Sequence, residues 1–295
     1  GASIGSRLHS GMERLTWVEC PRDAMQGWHR LFSTEEKVAY LQELAHVGFD
    51  VLDAGSFVSQ RAVPQMADTA AVLDQIVWPD RKPEVLVIVG NPLGWERALQ
   101  HAAVDTVGYP YSLSEAFQQR NTQRSRQQAL VELEQMVARA HDAGKKAVVY
   151  FSMAFGNPYG EVLSDGMIHE ALEHMVRIQP DAVSISDTIG SGTPESIQKR
   201  AEQALEYLPV GKLGMHLHVR EDQAFAHLEA AWNAGIRRYD TALRGIGGCP
   251  FAQSNLVGNM PAEKLLTFAN RVGASYGVRP MALESAHNEA LALFQ

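Results

Sequence analysis

Eight times along this chain a short, β-rich apolar run gives way to a helical pattern, and that alternation limits the fold more than any other feature. The runs are 15-LTWVEC-20, 49-FDVLDA-54, 84-EVLVIVG-90, 104-VDTVGY-109, 145-KKAVVYFSM-153, 182-AVSISD-187, 213-LGMHLHV-219 and 236-IRRYDTA-242. Several are continuous Val/Ile/Leu stretches, as parallel strands covered on both faces require. Ser33 and Glu36 form a capping box ahead of a Val38, Leu41, Leu44 stripe that ends at Gly48. The spacing predicts one long helix over about 122–143, with Leu130, Leu133, Met136, Val137 and Ala140 on one face. Thr193 is placed to cap a helix opening at Pro194, a further helix runs from Glu221 to Ala234 before Gly235, and another begins near Pro261. Such alternation calls for a parallel sheet, and eight units in 295 residues predict an α/β fold of the closed (β/α)8 TIM-barrel type. The rival, an open doubly wound sheet, lacks its glycine-rich phosphate loop after the first strand. The tail 281-MALESAHNEALALFQ-295 predicts an extra C-terminal helix on the outside. No composition break divides residues 12–295, which read as a single catalytic barrel; the leader 1–11 reads as an expression remnant ahead of Met12.

The formal net charge of −8 argues against a nucleic-acid partner or an anionic membrane surface. No apolar run reaches the roughly 20 residues of a membrane span, and no secretory pattern opens the chain. Two cysteines, Cys20 and Cys249, make no disulfide framework, so a cytoplasmic location is expected.

In a barrel of this kind the working face lies at the C-terminal ends of the strands. The polar residues fall there: 21-PRDAMQG-27 after strand one, 53-DAGSF-57 after strand two, 154-AFGNPYG-160 after strand five, Asp187 with 188-TIGSGTP-194 after strand six, and 244-RGIGGCP-250 after strand eight. Strand seven itself carries His216 and His218. Side chains two apart on a strand project to one face, about 6.6 Å apart along it, so both imidazoles can serve one ion. The plain alternative is a pair of buried, hydrogen-bonded histidines. Asp23 offers a carboxylate and Asn259 an amide oxygen, and two N and two O donors suit Mg²⁺, Mn²⁺ or Zn²⁺. Arg22 is either a surface ion-pair partner of Asp23 or a clamp for negative charge developing on an oxygen. Cys249, between Gly248 and Pro250, is either inert or a thiol exposed on a loop and able to move a proton. Asp187 either orients a ligand or caps the turn that follows it. Gln26, Asp53 and Ser56 are weaker candidates for substrate contact.

Taken together these residues resemble the hydroxymethylglutaryl-CoA lyases among the metal-dependent lyase barrels, with features similar to a bacterial subgroup. The likeness runs from about Leu15 to Ala274. It is carried by 245-GIGGCPFA-252, 21-PRDAMQ-26, 56-SFVSQRAVPQMAD-68, 114-SEAFQQRN-121, 187-DTIGSGTP-194 and the HxH pair. The resemblance implies a divalent cation, Mg²⁺ or Mn²⁺ before Zn²⁺, on Asp23, His216, His218 and Asn259. It implies that Arg22 polarises a thioester carbonyl and that Cys249 donates a proton. The expected reaction is retro-Claisen cleavage of 3-hydroxy-3-methylglutaryl-CoA to acetyl-CoA and acetoacetate, a step of leucine catabolism and ketone-body formation, with His216 or Asp23 as candidate base. CoA enters only as part of an acyl-CoA substrate, and a homodimer is expected. Val219, Asp53 and Asn157 stand where many members carry other residues; Asn157 and Asp53 fall where the acyl group would sit. A related condensing enzyme joining acetyl-CoA to a 2-oxo acid, an aldolase on the same barrel, and a metal- or CoA-binding module without turnover are the alternatives.

Overall fold

The computed structural model describes residues 13–248 and 257–295. Eight parallel strands close on themselves: β1 (Thr16–Glu19), β2 (Val51–Phe57), β3 (Glu84–Val89), β4 (Thr106–Ser112), β5 (Lys146–Ser152), β6 (Ala182–Asp187), β7 (Leu213–Arg220) and β8 (Arg238–Thr241). Each pairs with the next, and β8 returns to β1, so no edge is left open. The (β/α)8 barrel expected from the alternation is therefore the fold. A ninth strand, β9 (Val257–Asn259), is antiparallel to the end of β7, setting Asn259 opposite His218.

Alternation along each strand makes two cores. Val18, Cys20, Val51, Leu86, Val148, Tyr150 and Ala182 cluster inside the barrel. The outward side chains pack under the helices in a larger cluster, with Leu133, Met136 and Ala140 fully buried. Helices α1 (Pro21–Gln26), α2 (Thr34–Leu44), α3 (Thr69–Asp74), α4 (Pro92–Gln100), α5 (Glu115–Thr122), α6 (Arg126–Asp142), α7 (Asp165–Ile178), α8 (Pro194–Leu205), α9 (Ala224–Ala234) and α10 (Ala262–Val272) surround it.

Three expectations are corrected. The helix expected over about 122–143 starts later, at Arg126: Gln123 adopts a left-handed conformation (φ 57°) that ends the preceding α5 at Thr122, and Ser125 with Gln128 caps α6. Strand two runs on to Phe57, because a bulge between Asp53 and Gly55 absorbs one residue and keeps the ladder with β3 going. Strand four continues through Pro110 to Ser112. Past Gly108 its pairing with β3 has stopped, so a proline without an N–H is tolerated there.

The C-terminal helix α11 (Pro280–Leu293) packs outside, as expected. Phe294 follows it and inserts edge-on against Trp28, Phe32 and Tyr40, with ring centroids 5.2, 5.4 and 5.8 Å away. Trp28 and Phe32 flank the segment leading from the first strand's site residues to α2, so the tail braces that side of the barrel. Phe294→Ala is expected to destabilise the fold by about 3–5 kcal/mol, read as a lower urea midpoint with unchanged slope; a loss under about 1 kcal/mol would mean that the tail carries no packing role.

Candidate active site

The C-terminal rim of the barrel holds a cavity of about 680 Å³, lined among others by Arg22, Asp23, Gln26, Ser56, Tyr150, Ser152, Ser186, His216 and His218. Closure of the barrel explains how residues distant in sequence meet there. Strands β1, β8 and β7 are neighbours, so the turn after β1 brings Asp23 to the two histidines of β7.

Three donor atoms converge. His216 Nε2 and His218 Nε2 are 3.2 Å apart, and Asp23 Oδ2 lies 3.3 Å from the first and 3.4 Å from the second. The outer imidazole nitrogens are already engaged. His218 Nδ1 donates to the Thr188 carbonyl at 2.8 Å, and His216 Nδ1 donates to the Asp240 carboxylate at 2.8 Å. A carbonyl can only accept, so His218 Nδ1 carries the hydrogen and its Nε2 is turned to the cavity; the bond to Asp240 turns His216 Nε2 the same way. Two imidazole nitrogens and a carboxylate oxygen therefore face one point, an arrangement suited to a cation. Donors about 2.1 Å from one ion stand about 3.0 Å apart in octahedral and about 3.4 Å apart in tetrahedral geometry, and the observed edges fall in that interval. The residues fit a divalent metal.

Without one, a proton fills the role. Burial opposes charge on His216, but hydrogen bonds to Asp23 and Asp240 outweigh it and push its pKa up to about 10. Burial likewise opposes the charge on Asp23, yet the bonds from both imidazoles and the nearby Arg22 hold its carboxyl well below the usual range. A second trio, Cys20, His216 and Asp240, also clusters. There the His216–Asp240 separation of 2.8 Å is a hydrogen bond that already occupies His216 Nδ1, and burial pushes the Cys20 thiol up.

Asn259 shares a face with His218 across the β7–β9 pair. Its amide nitrogen donates to the Ile246 carbonyl at 2.8 Å, and a Cβ added at Gly247 would meet that nitrogen at 2.5 Å and the Asp23 carbonyl at 2.9 Å. Gly247 thus lies between the Asn259 amide and the Asp23 backbone. Arg22 is no surface pair. Its Nε and Nη2 donate to the buried Asp53, Nη2 at 2.8 Å, and its Nη1 donates to Gln26 Oε1 at 2.9 Å. Burial works against its charge, but Asp53 and Asp23 more than compensate.

The other expected residues divide. Gln26 and Ser56 line the cavity, and Ser56 Oγ has no hydrogen-bond partner among the described residues. Asp53 is fully buried behind Arg22 and acts on it rather than facing the cavity. Asp187 is also fully buried; its carboxylate accepts from Ser191 and Gly192 N–H groups and shapes the turn whose Thr188 carbonyl holds His218, which is the turn-capping alternative. Asn157 does not line the cavity: its side chain accepts from Tyr159 and Glu161 N–H groups and donates to the Glu161 carbonyl. Cys249 lies outside the described residues. Asp240 and Thr188 were missed. Asp240 had a legible signal, an acid two residues after Arg238 on an inward-facing strand position, and β8 pairs it directly with His216. A backbone carbonyl such as that of Thr188 leaves no mark in sequence.

Metal affinity is expected to rise with pH below about 10, by about tenfold per unit while His216 holds the competing proton, measured as the Mn²⁺ dissociation constant by titration. Asp240→Ala is expected to weaken Mn²⁺ binding roughly 10–100-fold. Affinity independent of pH between 6 and 9, or unchanged in the variant, would contradict the ligand assignment.

Residues 14–288 match the model of the HMGL-like family. A cytoplasmic 3-hydroxy-3-methylglutaryl-CoA lyase of Rattus norvegicus is 32% identical over 94% of this chain and 80% of its own length. An (R)-citramalyl-CoA lyase of Chloroflexus aurantiacus is 29% identical over 93% of this chain and 89% of its own. Among solved structures, an HMG-CoA lyase from Acinetobacter baumannii in complex with coenzyme A and 3-methylmalate superposes with a TM-score of 0.88 at 25% identity, covering 95% of this chain and 91% of that one. The chain belongs to the HMGL-like family and is a carbon–carbon lyase of the hydroxymethylglutaryl-CoA lyase type.

Proposed function

We propose that the protein cleaves 3-hydroxy-3-methylglutaryl-CoA, or a close tertiary 3-hydroxyacyl-CoA, by a retro-Claisen step to acetyl-CoA and acetoacetate. The observation that carries this reading is the convergence of His216, His218 and Asp23 beside a clamped Arg22 at the mouth of one cavity. Asp23, His216, His218 and Asn259 would hold a divalent cation, which supplies Lewis acidity toward the substrate's hydroxyl and carboxylate oxygens. The reaction needs three things of the chain. The 3-hydroxyl must lose its proton, for which the second carboxylate oxygen of Asp23 is available whereas both His216 nitrogens are engaged; the C2–C3 bond then breaks as C3 becomes a ketone; and the electron pair left on C2 must be held as a thioester enolate.

Arg22 suits the last task. Asp53 and Gln26 grip three of its edges, so its charge is aimed before substrate arrives and costs no reorganisation. Such a fixed donor is worth roughly 3–4 kcal/mol of barrier. Cys249 returns a proton to C2, completing acetyl-CoA, and the glycines that precede it suit a loop that excludes water from the carbanion.

A second reading is supported by the (R)-citramalyl-CoA lyase relative and by 3-methylmalate in the A. baumannii enzyme. A substrate whose carboxylate sits directly on the carbinol carbon would undergo the same cleavage and give pyruvate. Incubation of the Mg²⁺-supplied protein with each thioester decides: acetoacetate and acetyl-CoA formed faster than pyruvate support the first reading, the reverse supports the second, and no cleavage of either overturns both. Cys249→Ala is expected to abolish turnover while Mn²⁺ affinity stays within twofold; undiminished turnover would remove the proton-donor role.

A further inference from the structure

Helix α5 supplies one wall of the cavity. Phe117, Arg120, Asn121 and Thr122 all line it. Yet α5 is weakly fixed by apolar packing: its one fully buried side chain is Gln118, whose Oε1 accepts from the Ser112 N–H and whose Nε2 donates to Thr122 Oγ1. A short helix with no apolar stripe against the core must be positioned by polar contacts, chiefly at the N-terminal groups left without partners.

Those groups are met from another loop. The Glu161 carboxylate accepts from the Glu115 N–H at 3.0 Å and from the Ala116 N–H at 3.4 Å, and it also accepts from the Ser114 hydroxyl. Ser114 Oγ in turn accepts from the Phe117 N–H at 3.1 Å, so the first three amides of α5 are all satisfied. Glu161 belongs to the loop after β5, and Asn157 holds that loop by its three bonds to Tyr159 and Glu161. The loop touches α5 a second time: the Arg120 guanidinium lies over the Tyr159 ring, 4.9 Å from its centroid. The helix is also engaged on its far side, where Glu115 accepts from the Arg126 N–H that opens α6.

We propose that Glu161, fixed by Asn157, is a positioning residue for substrate binding: it clasps the start of α5 and so sets the cavity wall made by Phe117, Arg120 and Asn121. Neither residue touches the reacting atoms. Asn157 thus serves the substrate through the loop rather than by contact. Glu161 is on a different loop from Arg22, Asp23 and the histidines, so loosening it alters the wall and leaves the metal donors where they are. The inference rests on the acyl-CoA reading for the identity of the ligand.

The test compares wild type with Glu161→Ala and Glu161→Gln in the Mg²⁺-loaded protein. Loss of a charged cap should raise the dissociation constant for coenzyme A and the KM for the acyl-CoA about tenfold, with kcat and Mn²⁺ affinity within twofold. Glu161→Gln, which keeps one acceptor, should fall between. Hydrogen exchange of the 115–122 amides should quicken in Glu161→Ala, with β7 amides unchanged. Unchanged KM and coenzyme A binding, or equal losses in kcat and Mn²⁺ affinity, would overturn the clasp. Failure of the wild type to bind coenzyme A would instead count against the acyl-CoA reading, while the exchange measurement would still decide whether Glu161 holds α5.

Discussion

The site depends on two hydrogen bonds that point away from it. Thr188 and Asp240 take the Nδ1 protons of His218 and His216, and this turns both Nε2 atoms toward Asp23 at 3.2–3.4 Å. Left alone, such a trio repels itself. A dication resolves the repulsion; a proton shared by His216 and Asp23 resolves it less completely. Two imidazole nitrogens with a carboxylate oxygen make a donor set that fits a divalent ion.

Barrel closure makes this donor set possible. Asp23 and His218 are 195 residues apart in sequence and meet because β8 returns to β1. The inward positions of β7 and β8 run side by side, so His216 and Asp240 are register partners and need no loop to bring them together. Strands thus hold the histidines, while the segments that follow the strands carry the rest of the rim: Arg22 on α1, fixed by Asp53 and Gln26, and α5 on its carboxylate clasp.

Much of this was legible in the sequence, for physical reasons that also mark where reading fails. The strands announced themselves because fully covered parallel strands need apolar residues on both faces. His216 and His218 could be paired because strand periodicity is two. The start of α6 at Arg126 rather than near Thr122 is hidden in the sequence, since a polar residue in a left-handed turn such as Gln123 looks like any other helix-surface residue. The extension of β2 depended on a bulge, which no residue type dictates. Asp187 ends β6 and Asn157 lies in the loop after β5, but sequence cannot tell whether a carboxylate or amide faces a ligand or its own backbone. Asp187 was weighed both ways and takes the backbone; Asn157 does the same by contacts that only the folded loop reveals.

The central claim is that Asp23, His216 and His218 grip one ion at the rim. Crystals grown with Mn²⁺ and measured at a wavelength where manganese scatters anomalously test it directly. The account predicts a single strong anomalous peak about 2.1 Å from His216 Nε2, His218 Nε2 and Asp23 Oδ2, with both Nδ1 hydrogen bonds intact. A peak elsewhere, or none at saturating Mn²⁺, would contradict it.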